Sequence, residues 1–177
     1  MNPVVRVFAE RAAARRASLL SLTDVIPAEF WQRRSPGDEW DAHHHLAHAL
    51  SADSVVAKLL VAFLEHGTQE TGLDELLGDR EAALTASLDL EPATLVASGQ
   101  AARNSLLAQL ERVAPPNLEG EFLRVATPLP WTPSASLTLY TYLEQWALHD
   151  AEHEFAIRAA ITTPPDLSAA AHIRRLR

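Results

Sequence analysis

The chain has 177 residues, 47% of them hydrophobic, and 15 Lys and Arg against 23 Asp and Glu give it a formal charge of -8. That length buries one substantial core and is short for two, so a single domain over 1–177 is expected. The negative balance works against phosphate backbones and anionic lipid, and neither nucleic acid nor a membrane is an expected partner.

Cysteine is absent, which removes disulfides, thiol nucleophiles and cysteine zinc sites together; any metal must be held by His and carboxylate. Arg6, Glu10 and Arg11 interrupt the apolar residues of the N-terminus, unlike a secretory signal. The run VVAKLLVAFL carries Lys58 and falls short of the ~20 apolar residues a spanning helix needs. A soluble, cytoplasmic protein is the expectation.

Apolar residues recur at three-and-four spacing over four long segments, and strand signals are scarce, so the chain reads as all-α. A first helix is predicted from about Pro3 to Leu22, with Val5, Phe8, Ala12, Leu19 and Leu22 inward and the stems of Arg15 or Arg16 covering apolar surface. A short helical turn through Phe30 and Trp31 precedes a loop at Ser35, Pro36 and Gly37. Asp41 then caps a second helix that runs to about His66, with Trp40 as a hydrophobic staple. Its inward stripe is His48, Ala52, Val55, Leu59 and Phe63, and Gly67 is its left-handed stop. Residues 68 to 89 read as a connector with some helical turns.

A third helix is predicted from Glu91 and Pro92, following Leu95, Gly99, Ala102, Leu106, Leu110 and Val113 until Pro115 and Pro116 end it. A loop through Leu129, Pro130 and Trp131 leads to a fourth helix capped by Ser134 or Ser136, which carries Leu139, Leu143, Trp146, His149, His153, Ile157 and Ala160 on one face. Thr163, Pro164 and Pro165 stop it, and 166–177 form a loosely docked tail.

The chemistry sits in the histidines. His149 and His153, four apart on a helix, stand about 6 Å from one another at Cβ, a separation that lets two rings close on one divalent ion. His48 on the second helix supplies a third nitrogen. A buried imidazole left unpaired costs on the order of 1 to 3 kcal/mol, which a shared cation removes for several rings at once. His44 competes with His48, and His45 is expected as a partly exposed polar residue, with a place at the pocket mouth as the alternative; the stripe through His48 continues into Val55 and Leu59, whereas that through His44 continues into Ser51 and Lys58. Asp150 is a candidate partner for a ligand ring, with a solvated surface acid as the alternative. His66 and His172 carry no assigned role.

The segment SPGDEWDAHHHLAHAL resembles the opening of the second helix in the DinB/YfiT-like superfamily, with His48 at the position of a metal histidine. LEQWALHDAEHEFAIRAAI looks like that superfamily's last helix, its HDxxH pair falling on His149, Asp150 and His153. The resemblance spans nearly the whole chain in order and spacing. It implies a four-helix bundle, up-down-down-up, with a long crossover between helices 2 and 3, a three-histidine site for a divalent metal such as Zn, Ni, Fe or Mn, and often a homodimer. Characterised relatives of that superfamily include S-transferases that use a low-molecular-weight thiol. On this basis a thiol S-transferase acting on small-molecule electrophiles is expected, with a metal-dependent hydrolase or a non-catalytic metal-binding stress-response bundle as the alternatives.

Overall fold

The computed structural model describes residues 1–71, 73–125 and 136–163. Among the described residues six α-helices dominate: α1 Pro3–Thr23, α2 Ala42–His66, α3 Leu73–Leu88, α4 Pro92–Leu110, α5 Pro115–Glu119 and α6 Leu139–Thr162. A single 3₁₀ turn, Ala28–Phe30, lies between α1 and α2 where the sequence predicts one.

Local signals set most boundaries. Asn2 Oδ1 accepts from the Val4 amide and Pro3 opens α1, while Asp41 accepts from the His44 amide at 2.8 Å to start α2. Gly67 ends α2 at φ +82°, in the left-handed region that glycine enters without penalty. The fourth long helix begins later than predicted: Thr138 is its cap, accepting from the Thr141 amide, and Ser136 lies in a strand instead. Ser134, the loop through Leu129, Pro130 and Trp131, and the tail 166–177 fall outside the described residues.

Two expectations change more substantially. The connector is a full 16-residue helix, α3, packed against α2. A small three-stranded sheet is also present, with β1 (Gln69–Thr71) parallel to β2 (Glu121–Val125) and β2 antiparallel to β3 (Ser136–Thr138). Strands of three to five residues contain too few alternations to register as a period of two. α4 ends at Leu110, before Val113 and the prolines expected to end it, and Pro115 and Pro116 instead open α5, since proline is tolerated in a first helical turn.

Cross-helix contacts fix how the long helices run. Phe8 meets Tyr140, Arg16 meets Asp150 and Ser18 meets Glu154, so α1 and α6 rise together. Asp53 bonds Trp146 and His45 bonds His153, so α2 runs against α6. Leu50 abuts Gly99 and Asp53 pairs with Arg103, so α2 and α4 run the same way.

The core is in two parts. One gathers Val5, Phe8, Leu60, Leu106, Leu143 and their neighbours; the other gathers Leu19, Leu46, Leu50, Leu95 and Ile157. Between them, one buried charged residue enters from each of four helices: Arg16 (α1), Asp53 (α2), Arg103 (α4) and Asp150 (α6), all 4% exposed or less. Arg16 is therefore not a surface arginine covering apolar neighbours. Asp53 and Arg103 escaped the sequence reading because a single charge on an apolar stripe gives no sign of its partner on another helix.

α2 contains a longer apolar stretch than its ten-residue run, an 18-residue window of mean hydropathy 1.5 that is 56% buried. Its buried residues include Asp53 within the charged layer and His45, which makes it a core helix by its contacts. Its fully inward stripe is Leu46, Ala49, Leu50, Asp53 and Leu60. The face through His48 and Ala52 borders a cavity instead.

Candidate metal centre

α2 and α6 cross beside that charged layer, and the crossing brings three imidazoles together. One ring nitrogen from each of His48, His149 and His153 lies within 4.8 Å of the others, a group that could hold a metal ion. His149 and His153, one turn apart on α6, bring their Nε2 atoms to 3.3 Å. Two nitrogens each ~2.0–2.1 Å from a tetrahedral ion stand about 3.3 Å apart, so this pair has the spacing of two ligands on one ion. The His48 ring packs on both, with centroids at 5.1 and 4.8 Å.

The electrostatics favour neutral ligands. Burial, with the neighbouring His149 ring and Arg80 adding to it, pulls the His48 pKa down to about 3. His153 is likewise lowered to about 3 by burial and by His48 and His45, and burial with His153 nearby holds His149 well below its ordinary value. Rings that resist protonation keep lone pairs for a cation.

The other histidines separate cleanly. His44 Nδ1 sits 2.8 Å from Asp41 Oδ1 at the helix cap, away from the cluster. His45 is not the partly exposed polar residue predicted: it is 8% exposed and touches His153, Nδ1 to Nδ1, at 3.1 Å, while its Nε2 lies 2.9 Å from Asp38 Oδ2. His66 is exposed at the end of α2. Asp150 does not serve a ligand ring through hydrogen bonding. Its oxygens take Arg16 Nε, Arg16 Nη2 and Arg103 Nη2 at 2.8–3.0 Å, because an arginine from each neighbouring helix reaches it inside the core. The acid that bonds the histidine cluster is Asp38, in the loop before α2, and only its small-polar, turn-forming context was visible in sequence.

Trp40 packs back on the start of α2 as a staple does, against His45 and the neighbouring core, and it also meets the histidine rings. Its indole lies 5.0 Å from His48, 5.4 Å from His45 and 6.2 Å from His153, centroid to centroid. Trp146 packs in the core and donates Nε1–H to Asp53 at 2.9 Å. The three histidines line a cavity of about 690 Å³ whose walls also include Trp40, Val55, Leu84, Trp146 and, from α3, Arg80. That volume is within the range of small-molecule sites, and its apolar walls with a few convergent polar groups are typical of them. Compared with known proteins, the chain matches no family model, no curated protein and no solved structure.

Proposed function

We propose that this chain is a metal-dependent enzyme of the DinB/YfiT type, in which His48, His149 and His153 hold a divalent Zn, Ni, Fe or Mn ion and the cavity beside them takes a low-molecular-weight thiol and a small electrophile. The observation that carries this reading is the meeting of three neutral imidazoles from α2 and α6 on the wall of a cavity of about 690 Å³. Three nitrogen ligands leave a coordination position free for a reactant, which a closed four-ligand structural site does not. The running directions of α1, α2, α4 and α6 support an up-down-down-up four-helix bundle, with α3 forming the crossover.

A divalent ion in such a site supplies positive charge that favours the ionised form of a thiol beside it. The chain's own residues do the rest. Trp40, Val55, Leu84 and Trp146 give an apolar wall that holds the body of an electrophile and excludes water. The sulfur bonds to the electrophilic carbon, the leaving group departs with the bonding pair, and the thiol proton passes to solvent. The alternative, a metal-dependent hydrolase, is favoured by one feature: Glu152, beside His153, lines the same cavity and could accept a proton from water. A cytoplasmic location, a homodimer and the lack of nucleic-acid and membrane partners belong to this proposal as well.

The test is metal analysis of the purified chain and of His48→Ala, His149→Ala and His153→Ala. About one divalent ion per chain is expected in the parent and none in the variants. Equal content in all four proteins removes the enzyme reading. Thiol-dependent consumption of monochlorobimane supports transfer, whereas ester hydrolysis without thiol points to the hydrolase.

A further inference from the structure

Asp38, His45 and His153 form a continuous hydrogen-bonded chain. Asp38 Oδ1 accepts from the Trp40 amide at 3.0 Å, which holds the side chain in place, and Oδ2 faces His45 Nε2 at 2.9 Å. That backbone bond is the main cause, with the His45 contact helping, of a carboxyl pKa below the ordinary value, so Asp38 is ionised and can only accept. His45 Nε2 must then carry a hydrogen, and in a neutral ring Nδ1 is left bare. His153 Nδ1 lies 3.1 Å from that bare nitrogen and satisfies it only by donating. A neutral His153 with its proton on Nδ1 has its lone pair on Nε2, the atom that faces His149 Nε2 at 3.3 Å.

We propose that Asp38 and His45 are positioning residues that lock His153 as the Nδ1–H tautomer and thereby commit its Nε2 lone pair to the ion. The proposal rests on the three-histidine metal reading and adds to it a two-step relay: the carboxylate acts on the ligand through an intervening imidazole rather than directly. Asp38 lies in the loop before α2 and His45 in its first turn, and Trp40, between them in sequence, packs on His45, His48 and His153. The loop is thus part of the metal centre's architecture. Its tautomer-fixing bond is of the kind that tunes metal sites from outside the ligand set.

Asp38→Asn is the sharpest perturbation. The amide oxygen can keep the Trp40 bond, but the Nδ2–H₂ group then faces His45 Nε2, demanding an acceptor there and reversing both tautomers down the relay. His45→Phe removes the relay while keeping a ring against Trp40. The experiment measures Zn(II) affinity by chelator competition for the full chain, Asp38→Asn, His45→Phe, the double variant and His153→Ala. It also records two-bond ¹⁵N–¹H spectra of the metal-free parent, which report the tautomer of each ring.

The expected result is one Zn(II) in the parent, none in His153→Ala, and affinity lowered about 10- to 100-fold in Asp38→Asn and in His45→Phe. Asp38→Asn should add nothing in the His45→Phe background, because its effect passes through that ring. The spectra should show His45 protonated at Nε2 and His153 at Nδ1. Parent-like affinity in both single variants, or the opposite tautomer at His153, overturns the relay while leaving the metal site standing. A parent chain that binds no Zn(II) overturns the metal reading and the relay with it. The tautomer measurement decides the matter even if a variant fails to fold.

Discussion

Arg16 and Asp150, 134 positions apart, are joined by two parallel hydrogen bonds, Nε to Oδ2 at 2.9 Å and Nη2 to Oδ1 at 3.0 Å. The pairing is bidentate, the geometry in which a guanidinium and a carboxylate bind most strongly. The layer is completed by Arg103, which reaches both Asp53 and Asp150, and by Trp146, which donates to Asp53. Two positive and two negative charges cancel there. Removing one acid leaves a buried, uncompensated guanidinium. Asp150→Ala is therefore expected to cost about 3–5 kcal/mol in urea unfolding. Asp79→Ala, which breaks an exposed pair with Lys58, should cost no more than about 1 kcal/mol. Equal effects would mean that the layer contributes no more than a surface pair.

Helices α2 and α4 approach closely at one glycine. A Cβ on Gly99 would stand 2.8 Å from Leu50 Cβ and 3.3 Å from Leu50 Cα, too near for either backbone to avoid moving. Gly99→Ala should destabilise the fold by about 1–3 kcal/mol through overpacking. At Gly78, in α3, an added methyl group would meet nothing within 4 Å, and Gly78→Ala should stabilise by up to about 1 kcal/mol from helix propensity alone. Thermal unfolding of the two variants should shift in opposite directions.

Acid should weaken the metal-free fold. Unfolded histidines take up protons near pH 6.5, whereas His48 and His153 resist protonation in the folded state down to about 3. Below pH 6.5 the unfolded chain binds more protons than the native one, so stability falls with pH, at most about 1.4 kcal/mol per pH unit for each ring, and stops falling on this account near pH 3. Above pH 6.5 both states are neutral and these rings contribute no pH dependence. Urea midpoints of chelator-treated protein at pH 7, 6 and 5 should decline steadily. The decline should be shallower in His153→Phe.

Filling the cavity should separate chemistry from metal binding. Ala52 stands one turn beyond His48 on the cavity wall. Ala52→Phe should lower thiol-dependent turnover of monochlorobimane about tenfold or more by occupying the space for the electrophile. Metal content should stay at that of the parent. Loss of the ion in this variant would show that the substitution disturbs the ligands themselves.

The sequence by itself marked α1, α2, α4 and α6 and singled out His48, His149 and His153, because apolar periodicity and capping residues are local properties that hold wherever a helix packs. Asp41 and Gly67 announce the ends of α2 for the same reason. The conversion of the connector into α3, the three short strands, and the contacts of Asp38, His45, Asp53 and Arg103 were decided only in the tertiary structure. Each depends on a partner from another element: Asp150 looked like an acid beside a ligand until Arg16 and Arg103 reached it from α1 and α4. His45 looked partly exposed until α6 brought His153 against it. A buried polar side chain is defined by what satisfies it, and for Asp53, Arg103 and Asp150 that satisfaction comes from residues tens to more than a hundred positions away, at separations no local pattern records.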